Sequence, residues 1–141
     1  MRRALKKHIA YHEAGHAVIA WKLGYEVSSV MIAPDTDKPG VTYWNARGGV
    51  ASPEHYFMVA LAGQIAEGKA SNHFTGLEEM FEACSILNDY ELENMLDDRT
   101  EEMVGECWPQ IELVAKTLLK KKSLGRDEFL RLMTDTETEA A

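Results

Sequence analysis

The segment His12-Glu13-Ala14-Gly15-His16 constrains this chain more than any other part of it. It lies inside a helical pattern: Leu5, Ile9, His12, His16, Ile19 and Leu23 recur every three or four residues, a single stripe at helical period. Gly24 follows as a stop signal. Residues i and i+4 of a helix share a face, with Cβ atoms roughly 5–6 Å apart. Two imidazoles so placed can each aim one nitrogen at a single Zn²⁺, at about 2.0–2.1 Å. Glu13 stands about 100° round the helix from His12, so it flanks the ion rather than binding it. From there it can take a proton from a metal-bound water, whose pKa zinc lowers to about 7. One histidine on an apolar stripe would pass as a core residue. Two at this spacing, with Glu at the flanking position, point to a metal centre with a general base beside it. Gly15 stands in a helix interior, where Gly costs roughly 1 kcal/mol relative to Ala, and so implies a close approach there. A catalytic zinc takes a third protein ligand and keeps its fourth position open. That ligand is not further along the same helix, because Ile19 and Lys22 occupy the Gly and His positions of the extended motif.

The remaining pattern reads as a mostly helical α+β domain with one small sheet. Residues 26–33 are β-branched enough for a strand, 34–40 carry turn chemistry, 41–44 form a short partner strand, and Gly48 and Gly49 close this part. Ser52 as N-cap and Pro53 at the first position start a second helix, with Met58, Leu61, Ala62 and Ile65 as its stripe and Gly68 as its end. Residues 77–88 are helical, 90–122 form a long helical region either bent at Pro109 or restarted at Trp108 beside it, and 127–133 form a short last helix. Residues 1–133 are thus expected to be one domain, and the polar stretch 134–141 a disordered tail. A chain of 141 residues can bury a core without disulfides. Cys84 and Cys107 read as reduced thiols, which suits a cytoplasmic protein. A net charge of -8 argues against nucleic acid or an anionic membrane as partner. No apolar run reaches membrane-spanning length. After the basic start at Arg2 and Arg3, the polar residues His8, His12, Glu13 and His16 break up any secretion signal. The run Gly63-Gln64-Ile65-Ala66-Glu67-Gly68-Lys69-Ala70 approaches a phosphate-binding loop, but Ala70 stands where Mg²⁺ needs a hydroxyl, so nucleotide binding is not expected.

The string Tyr11-His12-Glu13-Ala14-Gly15-His16-Ala17-Val18 resembles the zinc helix of the FtsH-type ATP-dependent proteases. The resemblance continues in order through 27–33 and Pro34, Gly40-Val41-Thr42-Tyr43, Leu61-Ala62-Gly63-Gln64-Ile65-Ala66-Glu67, and 115–132. It implies a zincin-like metallopeptidase domain without the ATPase or the membrane segments that the family carries. In that family the third ligand is an Asp on a helix that follows a Thr-Gly loop. The matching text here is Thr75-Gly76-Leu77-Glu78-Glu79-Met80-Phe81-Glu82-Ala83, which is one residue short and has Glu for Asp. Anchored on the helix, Glu79 takes the ligand position, with Glu78 the second choice; an ungapped count reaches Met80, a poor zinc ligand. Both glutamates also suit a solvated first turn. Glu67 matches a family Glu and would orient a ligand histidine through its far nitrogen. Glu54 and Glu67 are the other places to seek a third carboxylate, and His73 is an isolated loop histidine better read as surface.

These readings converge on a zinc metallopeptidase with one Zn²⁺ per chain. His12, His16 and Glu79 would be its ligands and Glu13 the general base for a protein or peptide substrate. The strand at 27–33 would hold that substrate in extended form. Phe57, Met58 and Tyr56 are expected in the core, and Trp44 either there or in a cleft wall. The alternative is a non-catalytic, zinc-stabilised interaction module on the same scaffold, motivated by the altered third-ligand segment. A homo-oligomer or a separate ATPase partner is compatible with either reading.

Overall fold

A computed structural model describes residues 2–33, 36–46, 50–72 and 74–140, with side chains from residue 6 to residue 135 within those ranges. His73, Gly48, Gly49 and part of the 34–40 turn lie outside the described residues. The order is α1 (Arg2–Lys22), β1 (Glu26–Ile32), β2 (Gly40–Asn45), α2 (Pro53–Ser71), α3 (Leu77–Leu87), α4 (Tyr90–Glu106), α5 (Trp108–Lys121), β3 (Ser123–Gly125) and α6 (Arg126–Ala140). The fold is mostly helical α+β with one small antiparallel sheet, as the pattern predicts.

Helix α1 is the axis of the molecule. The sequence suggests one buried stripe, yet Ala10, Ala14, Ala17 and Val18 are buried as well as Ile9 and Ile19. A helix enclosed on nearly every side must be apolar or small nearly all round, and this one is. It packs on α2, on α5 and on the sheet. Small residues set the α1–α2 distance: a Cβ on Gly15 would sit 2.5 Å from the Ala62 carbonyl oxygen. The helix ends where expected, at Gly24 with φ +96°. Residues from α4, α5, β3 and α6, among them Val104, Ile111, Leu118, Leu124, Phe129 and Met133, complete the core. A smaller cluster of Phe57, Ala60, Ala83 and Leu87 joins α3 to α2.

Several boundaries differ from the sequence reading. Ser52 caps α2 through a 3.2 Å bond from the His55 backbone N–H, as predicted. The helix passes Gly68, however, and ends at Asn72, whose left-handed backbone returns its N–H to the Gly68 carbonyl; Asn tolerates that conformation. The long helical region breaks at Cys107 rather than bending at Pro109. Pro109 then falls in the first turn of α5, where its missing N–H costs nothing. Helix α6 runs past Met133 to Ala140, so residues 134–140, expected as a disordered tail, have helical backbone; the Thr134 hydroxyl bonds the Leu130 carbonyl. Strand β3 has no counterpart in the sequence reading. The strand order is β2-β1-β3, which makes β1 central and hydrogen-bonded on both sides from Ser29 to Met31. A strand paired on both sides has no edge to offer. The expectation that 27–33 holds an extended substrate is therefore corrected, and β2 is the edge strand on that side.

Candidate metal centre

His12 and His16 lie on the face of α1 that meets α2, and both are buried. Their rings stand edge to face with centroids 4.5 Å apart. The Nδ1 atom of each ring is tied down from α2. His12 Nδ1 is 2.8 Å from Glu67 Oε1, and His16 Nδ1 is 2.6 Å from the Val59 carbonyl oxygen. A carboxylate and a carbonyl are acceptors, so the rings donate Nδ1–H and their Nε2 atoms face the other way. There the carboxylate of Glu79 meets them from α3. Its Oε1 lies 3.0 Å from His16 Nε2 and its Oε2 3.6 Å from His12 Nε2.

This convergence is the informative feature of the site. With Nδ1–H donating, a neutral imidazole presents a lone pair at Nε2. Two such lone pairs and an ionised carboxylate repel one another unless a cation lies between them. In the metal-free protein protons meet part of this demand. Burial lowers the His12 pKa, but the hydrogen bonds to Glu67 and Glu79 outweigh it and hold the ring up at about 9. Burial raises Glu79, but the His16 charge and the bonds from both histidines pull it well below the usual carboxylate range. The spacing also suits a metal. Two donors on a tetrahedral zinc, each at about 2.0–2.1 Å, sit about 3.3 Å apart. Candidate ligand atoms of His12, Glu13 and His16 all lie within 4.8 Å of one another, so this buried group could hold a metal ion.

A pH effect follows for chelator-treated protein. The His12 value rises from 6.5 to about 9 on folding, so its contribution to stability is complete below 6.5 and lost as pH climbs through 9. Thermal melts of that protein are expected to show a midpoint falling across this window. A midpoint that holds steady or rises there would contradict the His12 contacts described here.

Glu13 projects beside the two histidines and is also buried. The hydroxyl of Thr42, on β2, donates to its Oε1 at 2.8 Å and approaches its backbone carbonyl at 3.1 Å. Glu13, His16, Val41, Thr42, Trp44 and Glu79 line an open cleft of about 230 Å³. Trp44 is thus a cleft wall that also packs against the core. Glu67, fully buried on α2, accepts at Oε1 from Thr75 as well as His12, at 3.1 Å from the backbone N–H and 2.7 Å from the hydroxyl. Its Oε2 lies 3.1 Å from His8 Nδ1. Glu78 is exposed, about 100° round α3 from Glu79. Glu54 sits in the first turn of α2, outside the group of candidate ligands. Phe57 and Met58 are in the core, and Tyr56 is half-buried against the smaller cluster.

The structure therefore brings together His12, Glu13, His16, Glu67 and Glu79, and leaves Glu78 and Glu54 aside. It adds Thr42, Thr75 and the Val59 carbonyl, none of which the sequence reading singles out. Among the described residues no helix is long and apolar enough to cross a membrane. Neither the family models nor the curated proteins compared with this chain give a match.

Proposed function

We propose that this chain is a zinc-dependent metallopeptidase on a zincin-like domain, similar to the FtsH-type peptidase domain. The observation that carries the reading is the meeting of His12 Nε2, His16 Nε2 and the Glu79 carboxylate, at two clefts that Glu13 and Glu79 both line. These are three donors of the kinds a catalytic zinc takes, with a carboxylate base alongside.

His12, His16 and Glu79 would hold the metal, while Glu67 and the Val59 carbonyl keep the two rings turned the right way. A zinc ion bound there supplies Lewis acidity, polarising a peptide carbonyl and lowering the pKa of a water to about 7. Glu13 would take up a proton at Oε2 from the attacking water and later deliver it to the departing amine. Thr42 fixes the other oxygen of Glu13, so the base does not swing away between the two transfers. An extended substrate would add to the outer edge of β2, beside Thr42 and opposite Glu79. Main-chain pairing of that kind reads backbone rather than side chains, which suits unstructured polypeptides.

Metal content per chain tests the reading, on protein purified without chelator or histidine tag. About one zinc is expected in wild type and in Glu78→Ala, and almost none after dialysis in His16→Ala or Glu79→Ala. Wild-type protein should cleave casein and lose that activity on chelation. A folded protein that cannot be loaded with zinc would overturn the proposal. A zinc-loaded but inert protein would be the interaction module instead.

A further inference from the structure

A third histidine shares the face of α1 that carries the metal centre. His8 lies one turn before His12 and is buried, and its Nδ1 is 3.1 Å from Glu67 Oε2. The other oxygen of the same carboxylate serves His12. Glu67 is bonded at both oxygens. Oε1 takes the Thr75 N–H, the Thr75 hydroxyl and His12 Nδ1, a convergence of donors that favours the ionised carboxylate, and to a carboxylate the His8 ring donates. The last torsion of a Glu side chain is intrinsically broad, so a carboxylate bonded at one oxygen turns easily. A bond at each oxygen fixes its plane.

We propose that His8 is a positioning residue of the metal centre. By donating Nδ1–H to Glu67 Oε2 it fixes Oε1 on His12 Nδ1, and thereby holds His12 Nε2 toward His16 and Glu79. This rests on the metal-site reading above and adds to it a residue that touches neither the metal nor the substrate. The line His8–Glu67–His12 ties two turns of α1 to one carboxylate of α2. Its effect is on ring orientation, so the property it governs is metal affinity.

Two variants separate this role from packing. His8→Phe keeps a ring of similar volume and removes the donor. His8→Asn gives up the ring and keeps an N–H near the position of Nδ1. Zinc affinity is measured by competition with a chromophoric chelator. His8→Phe is expected to bind at least about tenfold more weakly than wild type, the loss typical of such outer partners, and His8→Asn to stay close to wild type. The reverse order, or a His8→Phe protein of wild-type affinity, would overturn the role of His8 while leaving the metal centre standing. Wild-type protein that takes up no zinc would overturn the metal centre and this inference with it. Should His8→Phe fail to fold, ring ¹⁵N shifts of the wild type decide the matter. Nδ1 is expected to be protonated and slow to exchange in both His8 and His12, and a bare Nδ1 on His8 would refute the proposal.

Discussion

Glu13→Gln is expected to keep about one zinc per chain and to lose casein cleavage by about 10²–10⁴-fold, the contribution of a positioned general base. Glutamine has the same shape, and its side-chain oxygen can still accept the Thr42 hydroxyl bond that fixes Glu13 Oε1. The packing of Gly40 against the side chain is also preserved. What the variant lacks is the second acceptor oxygen, and with it a place to store a proton between attack and departure. Metal analysis and gel-resolved cleavage on the same preparation read both halves of the expectation. Activity near the wild-type level would remove Glu13 from the mechanism. Loss of zinc together with activity would mean that Glu13 holds the metal rather than the proton.

Gly63→Ala is expected to have the second largest effect. Helix propensity alone favours Ala over Gly by about 1 kcal/mol. Against that, the new Cβ would lie 2.3 Å from His16 Cε1 and 2.6 Å from Nε2. Neither neighbour has room to give. The His16 ring is held by its 2.6 Å bond to the Val59 carbonyl, and α2 is already against α1 at Gly15. Overpacking of this kind costs roughly 1–3 kcal/mol, so the net change should be destabilising. Zinc affinity should fall by at least about tenfold, since the displaced atoms are those of a ligand ring. Gly105→Ala is the control: apart from its chain neighbours and its own helix backbone, nothing described comes within 4 Å of its Cβ, and that variant should be neutral or slightly stabilising. Unaltered zinc affinity in Gly63→Ala would contradict the position described for His16.

The parts of this site that were readable in advance are those fixed by local geometry. His12, Glu13 and His16 sit within five consecutive residues, and helical spacing alone places them on one side of α1. Glu79 needed more. Its choice over Glu78 depends on how α3 is turned about its own axis, which is set by Ala83 and Leu87 packing onto Phe57 and Ala60. No spacing rule encodes that rotation. The Val59 carbonyl leaves no trace in sequence at all, because every residue has one. Thr42 was hidden behind a strand assignment, although alternation does place it on the same side of β2 as Trp44. His8 did carry a signal, standing four residues before His12 as His16 stands four after. Strand β3 is three residues long and exists through its pairing with Ser29, Val30 and Met31 far earlier in the chain. Pro109 was legible as an interruption, and Trp108 beside it as a helix start, but not where the helix before it ends, at the Cys107 cap.

The three donors proposed for the metal come from two separately packed parts of the molecule. His12 and His16 belong to the axial helix of the main core, whereas α3 leans on α2 through the small cluster and has left-handed residues at both ends, Gly76 and Asn88. Leu77 and Phe81 on its outer face are exposed. An ion shared among these donors would be a reversible cross-link closing the chain between residues 16 and 79 into a loop. With such an ion in place, lifting α3 away from the body would mean breaking coordination bonds, and its opening rate would be tied to metal supply while that of α1 would not. Proteases of the surrounding medium would therefore read the metal state of this chain at α3, through the accessibility of the turns at Gly76 and Asn88, before any change reaches the core.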